Sequence, residues 1–194
     1  MSISKLKEVQ LNIDSKKYSY EGEGPRFGLK TFFISYSGKQ GTELVDLDEV
    51  YQKARCLYIN TNTLDDDLLL FCTKASQAGI HITIETEIRI EKSNNLYKLK
   101  NILFFFSYRS DQKSWVGAYI RPKIDFLKIR ILQPSALSAC IEMANTYAKQ
   151  HKIQVLLMPE YLIEDYSQVL LGRFASIHHK VRFMPPVHTV LNIP

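Results

Sequence analysis

The sequence predicts an α/β fold whose parallel strands are covered by helices. Two observations carry that expectation. Short runs of β-branched and aromatic residues, such as TFFISY at Thr31–Tyr36 and ILFFFS at Ile102–Ser107, are close to continuously apolar, as strands buried on both faces are. Longer segments with helix-type starts and stops separate these runs.

Taken in order, Thr31–Tyr36 is a strand, followed by a turn at Gly38 and Gly41. Asp46–Arg55 is a helix that opens on acidic residues, and Cys56–Asn60 is a short strand. Asp65–Ala78 is a helix: its three leading aspartates suit the positive end of the helix dipole, and Gly79 suits its C-terminal cap. Ile80–Glu85, Ile102–Ser107 and Asp125–Leu132 are strands. Pro134 and Ser135 open a long helix that ends near Gln150. Ile153–Met158 is a strand stopped by Pro159, a helix covers Glu160–His178, and a short strand lies near Val181–Phe183. About six βα units make an open doubly wound sheet or an incomplete barrel, and in both the ligand sits at the C-terminal ends of the strands. Those ends are Ser37–Gly41, Asn60–Leu64, Glu85–Ile88, Ser107–Arg109 and Pro159–Tyr161.

The length of 194 residues fits one domain, residues 1–194, and 45% apolar against 23% charged residues is an ordinary globular balance. The longest apolar stretches, Ile102–Phe106 and Leu68–Cys72, are far too short for a membrane span. The N-terminus is charged and lacks the apolar core of a signal peptide, so the expected compartment is the cytoplasm. Cys56, Cys72 and Cys140 are scattered, with no zinc-ligand or redox-motif spacing. The net charge of +5 is spread without a dense basic run, so nucleic acid is not an expected partner.

Several eye-catching residues have ordinary structural explanations. Asp65, Asp66 and Asp67 complement a helix dipole more readily than they bind a metal. His178 and His179, adjacent on a helix, would diverge by about 100° and could not easily share a metal. His188 belongs to a proline-flanked tail. Phe104–Phe106 fill the core of a central strand. Trp115 and Tyr119, near Lys113, Arg121 and Lys123, form the best exposed aromatic and basic loop, with a plain hairpin cover as the alternative.

The segment Lys17–Gly38 reads KYSYEGEGPRFGLKTFFISYSG. Gly22, Gly24 and Gly28 allow a tight backbone, and because the element precedes its strand it is not a dinucleotide fingerprint. Its order resembles the opening of the 7-carboxy-7-deazaguanine synthases, radical S-adenosylmethionine enzymes that begin Gln-Gly-Glu-Gly, then Gly, Thr-x-Phe-Ile/Val and Ser-Gly-Cys. The resemblance runs from Tyr18 to the C-terminus, with Glu21 in place of the usual Gln. Ala78-Gly79-Ile80 through Glu85-Thr86, Ser107-Tyr108-Arg109 in place of Ser-Pro-Lys, Met158-Pro159-Glu160 and the ending MPPVHTVLNIP add to it. It implies a partial (β/α)6-type barrel and a homodimer. It also implies ligand-binding positions at Tyr20, Glu21, Gly22, Glu23, Glu85, Thr86, Ser107 and Arg109 and at the terminal carboxylate of Pro194.

The family's chemistry needs a four-iron cluster held by a C-x3-C-x2-C loop, with an open iron site for S-adenosylmethionine. After Ser37-Gly38 this chain has Lys39-Gln40-Gly41-Thr42-Glu43 and, by the sequence reading, enters a helix almost at once. Where the family has Thr-Gly-Gly-Glu-Pro, this chain has Asn60-Thr61-Asn62-Thr63-Leu64. Both cluster and cofactor are therefore expected to be lost, with no other cofactor or metal in their place and no catalytic residues assigned. The expected function is that of a catalytically degenerate homologue. It would bind a deazapurine or pterin-like ligand, or serve as a scaffold for a protein partner from a deazapurine-related pathway. The competing reading is a non-radical enzyme on purine-like or pterin-like substrates, using Glu21, Glu23, Glu85 and Arg109.

Overall fold

A computed structural model describes residues 9–19, 30–88, 94–111, 125–160 and 177–183. By its contacts the chain divides into two compact units, Met1–Phe104 and Phe105–Pro194.

The first unit contains β1 (Gln10–Ile13), β2 (Ser15–Ser19), β3 (Thr31–Tyr36), β4 (Glu43–Asp46), α1 (Leu47–Lys53), β5 (Cys56–Thr61), α2 (Asp66–Gln77) and β6 (His81–Thr86). β3, β5 and β6 run parallel, β2 lies antiparallel along β3, and β1 pairs with β4 in a separate antiparallel ribbon. Strand alternation sorts the side chains into two faces. Phe32, Ile34, Tyr36, Leu57, Ile59, Ile82 and Ile84 join one core cluster with Leu47 and Val50 of α1 and Leu68, Phe71, Cys72 and Ala75 of α2. The last four recur at i, i+3, i+4 and i+7, which gives α2 a single apolar stripe. Asp65 caps α2, its side chain accepting from the Leu68 N–H, and Asp66 and Asp67 fill its first turn.

Strand β7 (Ile102–Arg109) begins in the first unit and ends in the second, which continues with β8 (Phe126–Ile131), α3 (Leu137–His151), β9 (Gln154–Pro159) and β10 (Val181–Phe183). β7, β8, β9 and β10 are successive parallel neighbours. Phe106, Tyr108, Leu127, Ile129, Ile131, Val155 and Leu157 face Cys140, Ile141, Ala144, Tyr147 and Ala148 of α3. α3 ends at Lys152, whose φ of 57° is left-handed and closes the helix.

The α/β class and the mostly parallel pairing match the sequence expectation, and Phe104, Phe105 and Phe106 are buried as predicted. Several details differ. β1, β2 and β4 went unread, and the chain after Gly38 passes through β4 before α1 rather than straight into a helix. α1 begins at Leu47 with Asp46 as its cap, because the Asp46 carboxylate is taken by the Glu49 N–H. A 3-10 turn, Pro134–Ala136, precedes α3. Glu160 and His178, expected to bound a helix, are not helical, and residues 161–176 between them lie outside the described residues. His178 and His179 therefore sit in a turn, where their rings approach to 4.2 Å between centroids rather than diverging. The tail with His188 and the Trp115 loop also lie outside the described residues. Among the described residues no helix is long and apolar enough to cross a membrane.

Candidate functional site

On the face of the first sheet opposite α1 and α2, register brings polar residues into rows. Phe33 is paired with Tyr58 and Tyr58 with Thr83. One level nearer the strand ends, Ser35 is paired with Asn60 and Asn60 with Glu85. Glu85 is 5% exposed, and the Tyr58 hydroxyl donates a hydrogen bond to its Oε2. Burial, then the Glu85 charge and the hydrogen bond, push the Tyr58 phenol well above its ordinary range. Phe33 lies against the Tyr58 ring at 5.1 Å. The result is a buried carboxylate held by a tyrosine hydroxyl near the C-terminal end of the sheet, with Phe33 packed on that tyrosine.

Thr86 follows Glu85 but points to the other face, and its hydroxyl donates to Asn62 Oδ1 at 3.2 Å. The same oxygen accepts the Glu87 N–H at 2.8 Å. Thr61 is 3% exposed and its Oγ1 closes a local turn, donating to the Thr63 carbonyl and accepting the Thr63 N–H. Thr61 and Asn62, which stand where the resembled family has paired glycines, thus fill that place with side chains bonded to the fold.

The loop after β3 is tied down in the same way. The Tyr36 hydroxyl donates to Asp65, the Ser37 hydroxyl donates to Asp14 at 2.7 Å, and Lys39 pairs with Asp67 at 3.6 Å. A Cβ on Gly41 would fall 2.5 Å from the Ile13 nitrogen, so this loop lies flat on the backbone of β1. The segment carries no thiol. Cys56 and Cys72 are buried in β5 and α2, Cys140 in α3, and burial raises the thiols of Cys72 and Cys140. A cluster needs accessible thiolates grouped in one loop, so the residues present do not fit it. Among the described residues no three His, Cys, Asp or Glu are grouped to hold a metal ion.

In the second unit the face opposite α3 is layered. Phe105 and Phe126 stack at 4.5 Å with planes 2° apart. Ser107 and Lys128 are paired one level above, and Arg109 and Arg130 above them. Arg109 bonds Asp111 at 3.0 Å, and Arg130 makes a close ion pair with Glu160.

Of the residues expected to bind ligand, Glu85 and Thr86 share a strand end but face opposite ways. Ser107 and Arg109 share a face in the second unit. Tyr20, Glu21, Gly22, Glu23 and Pro194 lie outside the described residues. The sequence does not single out Tyr58, Lys128 or Arg130 as site residues, and Glu160 enters only through the strand end Pro159–Tyr161. The signal for two of them was present, since FLKIRI alternates with period two and sets Lys128 and Arg130 on one face.

No protein-family model matches the chain, and no curated protein matches it. Among solved structures it is similar to the crystal structure of QueE from Escherichia coli, with a TM-score of 0.56 and 14% identity over 95% of this chain and 98% of that one. Together with the parallel strands and flanking helices, this places the chain in a class: an α/β fold related to that of QueE, a 7-carboxy-7-deazaguanine synthase. At this identity the likeness is one of fold.

Proposed function

We propose that the chain is a catalytically degenerate homologue of 7-carboxy-7-deazaguanine synthase, a partial barrel and homodimer without iron–sulfur cluster or S-adenosylmethionine. It binds a deazapurine or pterin-like ligand at its strand ends, or acts as a scaffold for a protein partner. One observation carries the reading. The segments that stand where the family holds its cluster and its cofactor are built into the fold by Tyr36–Asp65, Ser37–Asp14 and Asn62–Thr86–Glu87 contacts. The polar row of Ser35, Asn60 and Glu85 supports retention of a ligand, since a carboxylate and an amide suit a planar, donor-rich heterocycle.

The test has two arms. Anaerobic reconstitution with iron and sulfide is expected to give no visible cluster absorbance, and a stoichiometric four-iron cluster would overturn the reading. Calorimetry with pterin and 7-deazaguanine then separates its two forms: heat that disappears in Glu85→Gln marks a ligand-binding protein, and no heat with either leaves the scaffold.

A further inference from the structure

The turn that leads into β10 is built around one imidazole. His178 Nδ1 accepts the backbone N–H of Lys180, two residues on, at 3.2 Å. A ring nitrogen accepts only while it carries no proton, so this bond fixes His178 as the neutral ring with its proton on Nε2. The arrangement copies an Asx turn, in which a side-chain oxygen takes the same N–H. Here the acceptor is one that titrates near neutral pH. The rest of the turn is tied to both neighbouring elements. The His178 N–H donates to Asn145 Oδ1 of α3 at 2.8 Å, and the Val181 N–H donates to the His178 carbonyl at 2.8 Å. The Val155 N–H of β9 donates to the Lys180 carbonyl at 3.0 Å. β10 is three residues long and pairs with β9 alone among the described strands, so this turn holds its start.

The charged groups around the ring are of one sign. His179 lies at 4.2 Å between centroids and, with Lys180, belongs to the same turn. Lys180 is anchored over the end of α3, its Nζ donating to the Lys152 carbonyl at 2.7 Å. α3 brings Lys149, with His151 in the same last turn. The one carboxylate of that helix, Glu142, lies two turns before Lys149, and β9 carries no titratable side chain. Burial, and then His179, Lys149 and Lys180, lower the His178 imidazole below its ordinary value.

We propose that His178 is an acid-sensitive latch on β10. Protonation places a hydrogen on Nδ1, facing the Lys180 N–H, so an acceptor becomes a second donor and a cation appears among Lys149, Lys180 and His179. The turn opens and β10 leaves β9, uncovering Val181, which packs in the α3 core. The sign follows from the neighbours. A lowered folded-state value means that the unfolded chain takes up the proton first. The latch therefore holds in full above about pH 6.5 and is lost as pH falls through the folded-state value.

The experiment is amide hydrogen exchange of the full chain at about pH 7.5 and about pH 5, on either side of the ordinary imidazole value. Each amide is read as protection relative to its intrinsic rate, with the amides of α2 as the reference for global stability. Protection at Lys180, Val181 and Val155 is expected to fall about three- to tenfold on acidification, as the loss of one ordinary hydrogen bond would give. The midpoint of that fall should coincide with the titration of the His178 ring. His178→Asn supplies the Asx-turn oxygen without a titrating group and should keep the protection at both pH values. His178→Ala has no acceptor and should show the lowered protection at both; if it does not fold, His178→Asn decides the matter alone. Protection that is independent of pH in the wild type, or that falls equally in His178→Asn, overturns the latch. A loss confined to Lys180, with Val181 and Val155 still protected, overturns it as well, because the strand then stays in place.

Discussion

The hydroxyl of Tyr36, at the end of β3, lies 2.8 and 2.6 Å from the two carboxylate oxygens of Asp65, and Oδ1 of that carboxylate also accepts the Leu68 N–H at 3.0 Å. One side chain therefore caps α2 and ties it to the neighbouring strand. Tyr36→Phe is expected to cost about 1.5–3 kcal/mol, the range for a hydrogen bond to a charged partner. Asp65→Ala should cost more, because the cap goes too. A double-mutant cycle by denaturant unfolding should give a coupling above about 0.5 kcal/mol; additive losses would show that the two groups act separately.

Gly41 tests the contact between that loop and β1. An alanine Cβ would meet the nitrogen, carbon and oxygen of Ile13 at 2.5, 2.6 and 2.7 Å, and backbone cannot swing aside as a flexible side chain can. Gly41→Ala is expected to destabilise by about 1–3 kcal/mol, as overpacking does. A wild-type midpoint in this variant would mean that the loop stands clear of the strand.

Asn62→Gly restores the glycine of the resembled family and removes the acceptor of Thr86 and Glu87. We expect about 1–3 kcal/mol of lost stability and faster hydrogen exchange at the Glu87 amide. Asn62→Asp keeps the acceptor and should preserve that protection. Equal exchange rates in all three proteins would show that Asn62 does not hold the turn.

Alkaline pH should unfold the chain. Tyr36, Tyr58 and Tyr108 are raised above the ordinary phenol range, and Tyr147 is pushed up to about 12, burial being the largest cause in each. A raised folded-state value means that the folded chain holds protons the unfolded chain gives up. Stability is therefore fully present below about pH 10 and falls as pH rises beyond it. In an ultraviolet titration these four should ionise together with unfolding while exposed tyrosines ionise near pH 10. Ionisation of all tyrosines near pH 10 with the fold intact would contradict this.

The parts of the fold that sequence revealed are those with local signals. TFFISY and IHITIE could bury both faces only as strands, and the aspartates before Leu68 announced α2 within one turn. β1 and β4 were illegible because QLNI and ELVD are four-residue strands that are half exposed. Each pairs with the other, a long way off in the chain, so no local signal announces it. The site divides similarly. Glu85 was legible as an acid at a strand end, but its partner Tyr58 belongs to the next strand, and only register places the two together. Lys128 and Arg130 were counted as net charge because the period-two alternation of their strand was not applied to them.

The two antiparallel pairings of the first unit are nested: β2 pairs with β3 inside the stretch of chain that separates β1 from β4. This sets an order of assembly. Bringing β1 to β4 first would close the whole intervening chain in one step, whereas the inner hairpin, once formed, draws the outer ends together and leaves only two short gaps to close. On an emerging chain β2 and β3 can join before Glu43–Asp46 has left the ribosome, while Gln10–Ile13 must wait, unpaired, for a partner still to emerge. A pause just after Tyr36 has emerged from the ribosome would therefore leave the hairpin formed and the first strand exposed, a window in which a chaperone would find Leu11 and Ile13, both buried in the finished fold.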